Sequence, residues 1–174
     1  NILGEKFSGK THLSNIFKKK NKAFKIKANE FNQESFKKFK IFENLILDDF
    51  DEKINEKLMY TLFNIADQDR KFILINSLVP INELNFSLKD FQSRAKNCIF
   101  AKIESPDDEL MFAILLKNFS DRQITIEKKL IDFIIKHIDR SYGKIYEFIY
   151  KIDEISLKKK KSIDFKIIKE ALED

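Results

Sequence analysis

The chain has 174 residues, 43% of them hydrophobic and 35% charged, with a formal net charge of +5. That is one domain of ordinary size, or one domain with a small appendage, and enough apolar material for a core without disulfides or a structural metal. One cysteine, Cys98, and two histidines exclude a disulfide framework and a His/Cys metal cluster, and the longest apolar run, Leu110 to Leu116, is too short for a membrane span.

Asn1 to Leu3 reads as the end of a strand running into Gly4, and Thr11 to Lys19 as the helix that follows. A second strand is expected over Ala23 to Ala28, a short helix over Asn32 to Phe39, and a third strand over Asn44 to Asp48. Leu58, Met59, Leu62, Phe63 and Ile65 form a helical stripe within Glu56 to Ala66. Phe72 to Asn76 reads as a fourth strand, Leu88 to Arg94 as a short helix and Cys98 to Ile103 as a fifth strand. Strands alternating with helices predict an α/β fold, a five-stranded parallel sheet flanked by helices.

After Pro106 only helices are expected, over Asp107 to Asn118, Glu127 to Ile138, Tyr142 to Leu157 and Asp164 to Leu172. Ser105-Pro106-Asp107-Asp108 is a helix start, with a proline followed by acids that suit the helix dipole. The expected organisation is an α/β domain over 1–105 and a small all-α lid over 106–174.

Gly4-Glu5-Lys6-Phe7-Ser8-Gly9-Lys10-Thr11 matches the phosphate-loop pattern G-x-x-x-x-G-K-[ST] at every fixed position. Glycine permits the bend that turns successive backbone N–H groups toward phosphate oxygens. Lys10 is placed to reach the β- and γ-phosphates, the Thr11 hydroxyl to coordinate Mg²⁺, and the helix start adds its dipole. By average residue usage such a match arises by chance in well under ~1% of chains this long. The next residue, His12, reads either as part of the nucleotide site or as helix surface.

Leu45-Ile46-Leu47-Asp48-Asp49 is an apolar strand that ends in two acids, at the edge where parallel sheets bind ligands. Asp48 is expected to hold the magnesium and Asp49 to orient or deprotonate an attacking water. Asn76, closing the next strand, reads as a γ-phosphate or water contact, or as a strand cap. Arg94 is one of four arginines in a lysine-rich chain. It reads as an arginine finger acting on a neighbouring subunit's nucleotide, or as a plain ion pair. The lysine runs at Lys18 to Lys22 and Lys158 to Lys161 read as solvated helix ends, or as a patch for nucleic acid or an acidic partner.

The order Gly-x-x-x-x-Gly-Lys-Thr-His-Leu, then Leu-Ile-Leu-Asp-Asp-Phe, then a strand closing toward Pro80, resembles the AAA+ family of the bacterial replication initiator DnaA and its compact homologue Hda. Leu88-x-x-Phe91-x-Ser93-Arg94 resembles that family's arginine-finger box, and Ser105-Pro106-Asp107-Asp108-Glu109 the segment opening its lid. Ile138-Asp139-Arg140-Ser141-Tyr142 resembles short Hda-type lids. The resemblance implies ATP or ADP as ligand with Mg²⁺, DnaA as partner, homo-oligomers, and a cytoplasmic regulator that promotes hydrolysis of DnaA-bound ATP. The family's second-sensor arginine aligns with Gly143, between Arg140 and Lys144, which implies weak turnover by the chain itself. Two further features match Hda: a brief connection between the second and third strands, and an end at Asp174 without the initiator's DNA-reading domain. The sliding-clamp peptide and the adenine-contacting segment are expected upstream of Asn1. The alternative within the family is a DnaA/DnaC-type loader or initiator ATPase acting on DNA.

Overall fold

The computed structural model describes residues 1–173; Asp174, the last residue of the expected lid, lies outside the described residues. The chain divides into two compact units, Asn1–Ile103 and the residues from Glu104 on. The first holds five parallel strands in the order β2-β3-β4-β1-β5. They are β1 (Ile2–Leu3), β2 (Ala23–Lys27), β3 (Asn44–Phe50), β4 (Ile73–Ser77) and β5 (Ala101–Lys102), and they alternate with α1 (Lys10–Lys20), α2 (Gln33–Ile41), α3 (Glu56–Gln68) and α4 (Lys89–Lys96).

Position in the sheet explains the apolar run of β3. Leu45, Ile46 and Leu47 are fully buried, as a central parallel strand covered on both faces must be. The expected fifth strand contracts to Ala101–Lys102, because β1, with which it pairs, is itself two residues long. Cys98 therefore precedes the strand. It packs half-buried against the core, its Sγ 3.9 Å from the Arg94 carbonyl oxygen, and burial pushes its thiol pKa up. Two short 3-10 segments, Ala28–Glu30 and Ile81–Glu83, had no periodic signal in the sequence.

Local chemistry fixes the helix ends. Asn32 accepts hydrogen bonds from the N–H groups of Glu34 and Ser35 at 2.9 and 3.3 Å, and the Ser35 hydroxyl accepts one from the Asn32 N–H. This reciprocal capping box starts α2. At the other end of α2, the Lys71 ammonium donates to the carbonyls of Phe39 and Phe42 at 2.8 and 2.9 Å.

The second unit consists of α5 (Asp108–Asp121), α6 (Lys128–His137), α7 (Tyr142–Lys159) and α8 (Phe165–Glu173). Met111, Leu115, Phe119, Ile134, Ile149 and Ile168 are fully buried and form a core of its own. Asp107 caps α5 by accepting from the Leu110 N–H at 2.8 Å, and Asp164 accepts from the Ile167 N–H at 2.9 Å. Among the described residues, no helix is long and apolar enough to cross a membrane.

Candidate functional site

The sheet delivers β1, β3 and β4 to one edge, where a cleft of about 640 Å³ opens. It is lined by Lys6 to Thr11 of the loop, Asp48 to Asp51 after β3, and Asn76 to Leu78 after β4. The loop wraps its own lysine: the Lys10 ammonium donates to the carbonyl oxygens of Gly4 at 2.6 Å and Glu5 at 2.8 Å. Burial lowers the Lys10 pKa, against the raising influence of Asp48, Asp49 and Glu5.

Backbone constraints account for the loop's glycines. Gly9, at the N-cap of α1, has φ +94°, a conformation that favours glycine. A Cβ on Gly4 would stand 2.5 Å from the Ser8 hydroxyl and 3.2 Å from the Ile103 Cβ, so a side chain here would require Ser8 to turn away and Ile103 to give by a few tenths of an ångström. Phe7 also has a positive φ, of 66°, and its ring is exposed. Strain of this kind persists where the surrounding structure holds it.

A polar chain links the loop helix to the strands. The Ser14 hydroxyl donates to the Lys10 carbonyl at 3.0 Å and accepts from the Asn76 amide at 2.5 Å. The same amide donates to Asp48 Oδ1 at 2.9 Å, and the Lys25 ammonium lies 2.8 Å from Asp48 Oδ2. Burial works against the Asp48 charge, but the hydrogen bonds from Lys25 and Asn76 outweigh it and hold its pKa below the ordinary carboxylate value. Asn76 Oδ1 and Ser8 Oγ are buried without a hydrogen-bond partner among the described residues.

Asp49 is different in kind. The ladder between β3 and β4 shifts register between Leu47 and Phe50, and Asp49 sits in this irregularity with φ 53°. Its carboxylate is 71% exposed, 3.8 Å from the Lys27 ammonium. A bulge of this type re-aims a side chain out of the ladder, here into the cleft.

The structure thus brings Lys6 to Thr11, Asp48, Asp49 and Asn76 to one cleft, with Gly4 and Glu5 holding the lysine from behind. Two expected residues lie elsewhere. His12 lines a separate groove with Asn15, Lys19 and Phe42, because the helical turn after Thr11 rotates it away from the cleft. Arg94 is held on α3, its guanidinium 3.9 Å from an Asp67 carboxylate oxygen and 5.7 Å from the centre of the Tyr60 ring. Sequence reading missed Ser14 and Lys25. Ser14 lies one helical turn after Lys10, and Lys25 alternates with apolar residues in β2; these spacings were the available signals.

A magnesium ion held on Asp48 does not fit this arrangement. Mg²⁺ demands near-ideal octahedral oxygen geometry and dehydrates reluctantly. Here both Asp48 oxygens are engaged, one by an amide and one by an ammonium. Among the described residues, no group of three or more His, Cys, Asp or Glu side chains is placed to hold a metal.

Several known proteins are similar to this chain. Residues 107–172 match the family model described as Hda, lid domain. The replication initiator DnaA of Lachnoclostridium phytofermentans is 28% identical over 142 residues, covering 79% of this chain and 31% of that protein. The chain spans about a third of the length of the curated relatives it matches. Domain III of the Thermotoga maritima replication initiation protein DnaA superposes with a TM-score of 0.76 at 20% identity, over 99% of this chain and 82% of that one. A replication initiator DnaA bound to AMPPCP and single-stranded DNA superposes with a TM-score of 0.65 at 23% identity, over 91% of this chain and 57% of that one.

A parallel sheet of this order, with a phosphate-loop sequence after β1 and a helical unit after β5, is the AAA+ fold. Within that class, the chain is similar to DnaA replication initiators over most of its length, and residues 107–172 match the Hda lid model.

Proposed function

We propose that the chain binds an adenine nucleotide in the phosphate-loop cleft and acts as an Hda-type regulator, promoting hydrolysis of the ATP bound to DnaA. The observation that carries the nucleotide half is the loop itself. Lys10 stands at the start of α1 with burial depressing its charged form, so an incoming phosphate would supply the anion it lacks. The unpartnered Ser8 Oγ and Asn76 Oδ1 add polar atoms that a bound ligand or its water can satisfy. Adenine is favoured by the DnaA relative bound to AMPPCP.

The regulatory half is supported by the Hda lid match and by Arg94. Its side chain is about a third exposed and restrained on α3 by one long ion pair and the Tyr60 ring. Such a group can leave Asp67 at little cost and complete a neighbouring subunit's phosphate site. Asp49, re-aimed into the cleft, is the candidate base or water-positioning group for slow turnover by the chain itself. In the lid unit, Arg140 pairs with Asp108 at 2.8 Å and Lys144 with Glu147 at 2.9 Å. Both cations that flank Gly143 are thus paired with acids of the lid unit itself.

The test is ATP hydrolysis by DnaA on DNA carrying the sliding clamp, with and without this protein. We expect stimulation that Arg94→Ala reduces by a factor of about 10³ or more, the range over which arginine fingers act. Unchanged stimulation by that variant would sink the arginine-finger role. A second reading, a DnaA/DnaC-type ATPase assembling on DNA, is favoured by the exposed lysines at the ends of α1 and α7. It predicts robust turnover by the chain alone and binding to single-stranded DNA that weakens steeply with salt.

A further inference from the structure

We infer that Lys25 is an internal counter-cation for Asp48, and that it makes nucleotide capture in this cleft largely independent of Mg²⁺. The inference rests on the nucleotide reading of the cleft, and concerns what the site does with the metal that usually accompanies a nucleotide.

The ion pair is short and well shielded. Lys25 Nζ lies 2.8 Å from Asp48 Oδ2, and the two side chains retain only 18% and 14% of their exposure. Charges so placed are screened little by salt, and separating them leaves each without its partner in a poorly solvated position. The other oxygen is fixed by Asn76, whose amide is fixed in turn by Ser14 of α1. Asp48 thus forms the middle of a chain running from β2 through β3 and β4 to the loop helix.

Sheet register puts the lysine there. Lys25 stands opposite Ile46 and Lys27 opposite Asp48, so both lysines share the face of the sheet that carries the Asp48 carboxylate. Lys27 is the lesser partner: it approaches Asp49 at 3.8 Å, with both side chains mostly exposed. Lys25 itself does not line the cleft, whereas Asp48 does. Its effect on a ligand is therefore indirect. It cancels the charge on the carboxylate that would otherwise draw a divalent cation to the phosphates, and a cation arriving at Asp48 would also face the ammonium.

Phosphate charge is then met by Lys10 and by the N–H groups of the loop and helix start, with no metal required for capture. Lys25 acts through Asp48 and is a positioning residue, not a catalytic one.

The experiment measures calorimetric Kd values for a non-hydrolysable ATP analogue, in magnesium chloride and in EDTA. For the unaltered protein the Kd should change by less than about threefold between the two buffers. Lys25→Met should bind at least about tenfold more tightly with magnesium than with EDTA. It should also retain Mn²⁺ in a nucleotide-dependent way by electron paramagnetic resonance, which the unaltered protein should not. Lys25→Arg keeps the charge and should behave like the unaltered protein. A tenfold or larger loss on chelation in the unaltered protein, unchanged by Lys25→Met, overturns the inference. Should Lys25→Met not fold, the unaltered protein and Lys25→Arg still decide: insensitivity in both supports the inference, and magnesium dependence in the unaltered protein overturns it. Absence of binding in both buffers, with Lys10→Ala indistinguishable, is a separate signature: the nucleotide reading falls, and this inference with it.

Discussion

Asp48 shows how one side chain ties site chemistry to stability. Its pKa is lowered in the folded protein, so near the ordinary carboxylate value the folded state binds fewer protons than the unfolded chain. Its stabilising contribution is complete above that value and is lost as pH falls through the lower folded value. Asp48→Asn leaves the largely buried Lys25 without its anion, and should cost about 1–3 kcal/mol at neutral pH. The gap between variant and unaltered protein should narrow as pH falls below the ordinary carboxylate value, and close only once pH passes below the lowered folded value, where the unaltered carboxylate is neutral too. Urea midpoints measured between neutral and acid pH check both the size and the sign. A gap that stays constant across that range would mean that Asp48 is not the titrating group.

Among the elements, helix starts were the most legible part of the chain. Asp107 and Asp164 cap α5 and α8 where the sequence placed the starts, since a carboxylate that accepts an N–H three residues on is a purely local interaction. Asp107→Ala should destabilise the helical unit by about 1 kcal/mol, visible as a lower urea midpoint by circular dichroism. The loop before α1 was legible as a pattern for a similar reason, because it is spelled by eight consecutive residues. What stayed hidden depends on contacts across the sheet. The Lys25–Asp48 pair joins residues 23 positions apart and follows from the β2–β3 register, which no local pattern announces. The β3 bulge that turns Asp49 outward is set by the pairing with β4. Arg94 stood out only by composition, whereas its restraint by Asp67 and Tyr60 follows from how α4 lies on α3. The fifth strand was read too long because apolar residues near the chain's edge pack against the core without joining the ladder.

For the whole molecule, the chief fact is that the two compact units have separate cores. One centres on Leu45, Leu47, Ile75 and Phe91, and the other on Met111, Phe119, Ile149 and Ile168. Phe119→Ala should open a cavity in the second core and cost about 3–5 kcal/mol. Amide hydrogen exchange should then speed up through α5 to α8 while β3 keeps its protection, as expected of separate cooperative units. Equal loss of protection in β3 would show that the molecule unfolds as one. The lone cysteine offers a practical route to following such changes. Cys98 is half-buried, and burial holds its thiol in the unreactive protonated form. A second cysteine introduced on an exposed surface would react with a thiol-directed dye well before Cys98 does. The molecule can therefore carry a single optical reporter without its native cysteine being removed, and the later reaction of Cys98 becomes a built-in clock for the opening of the α/β core.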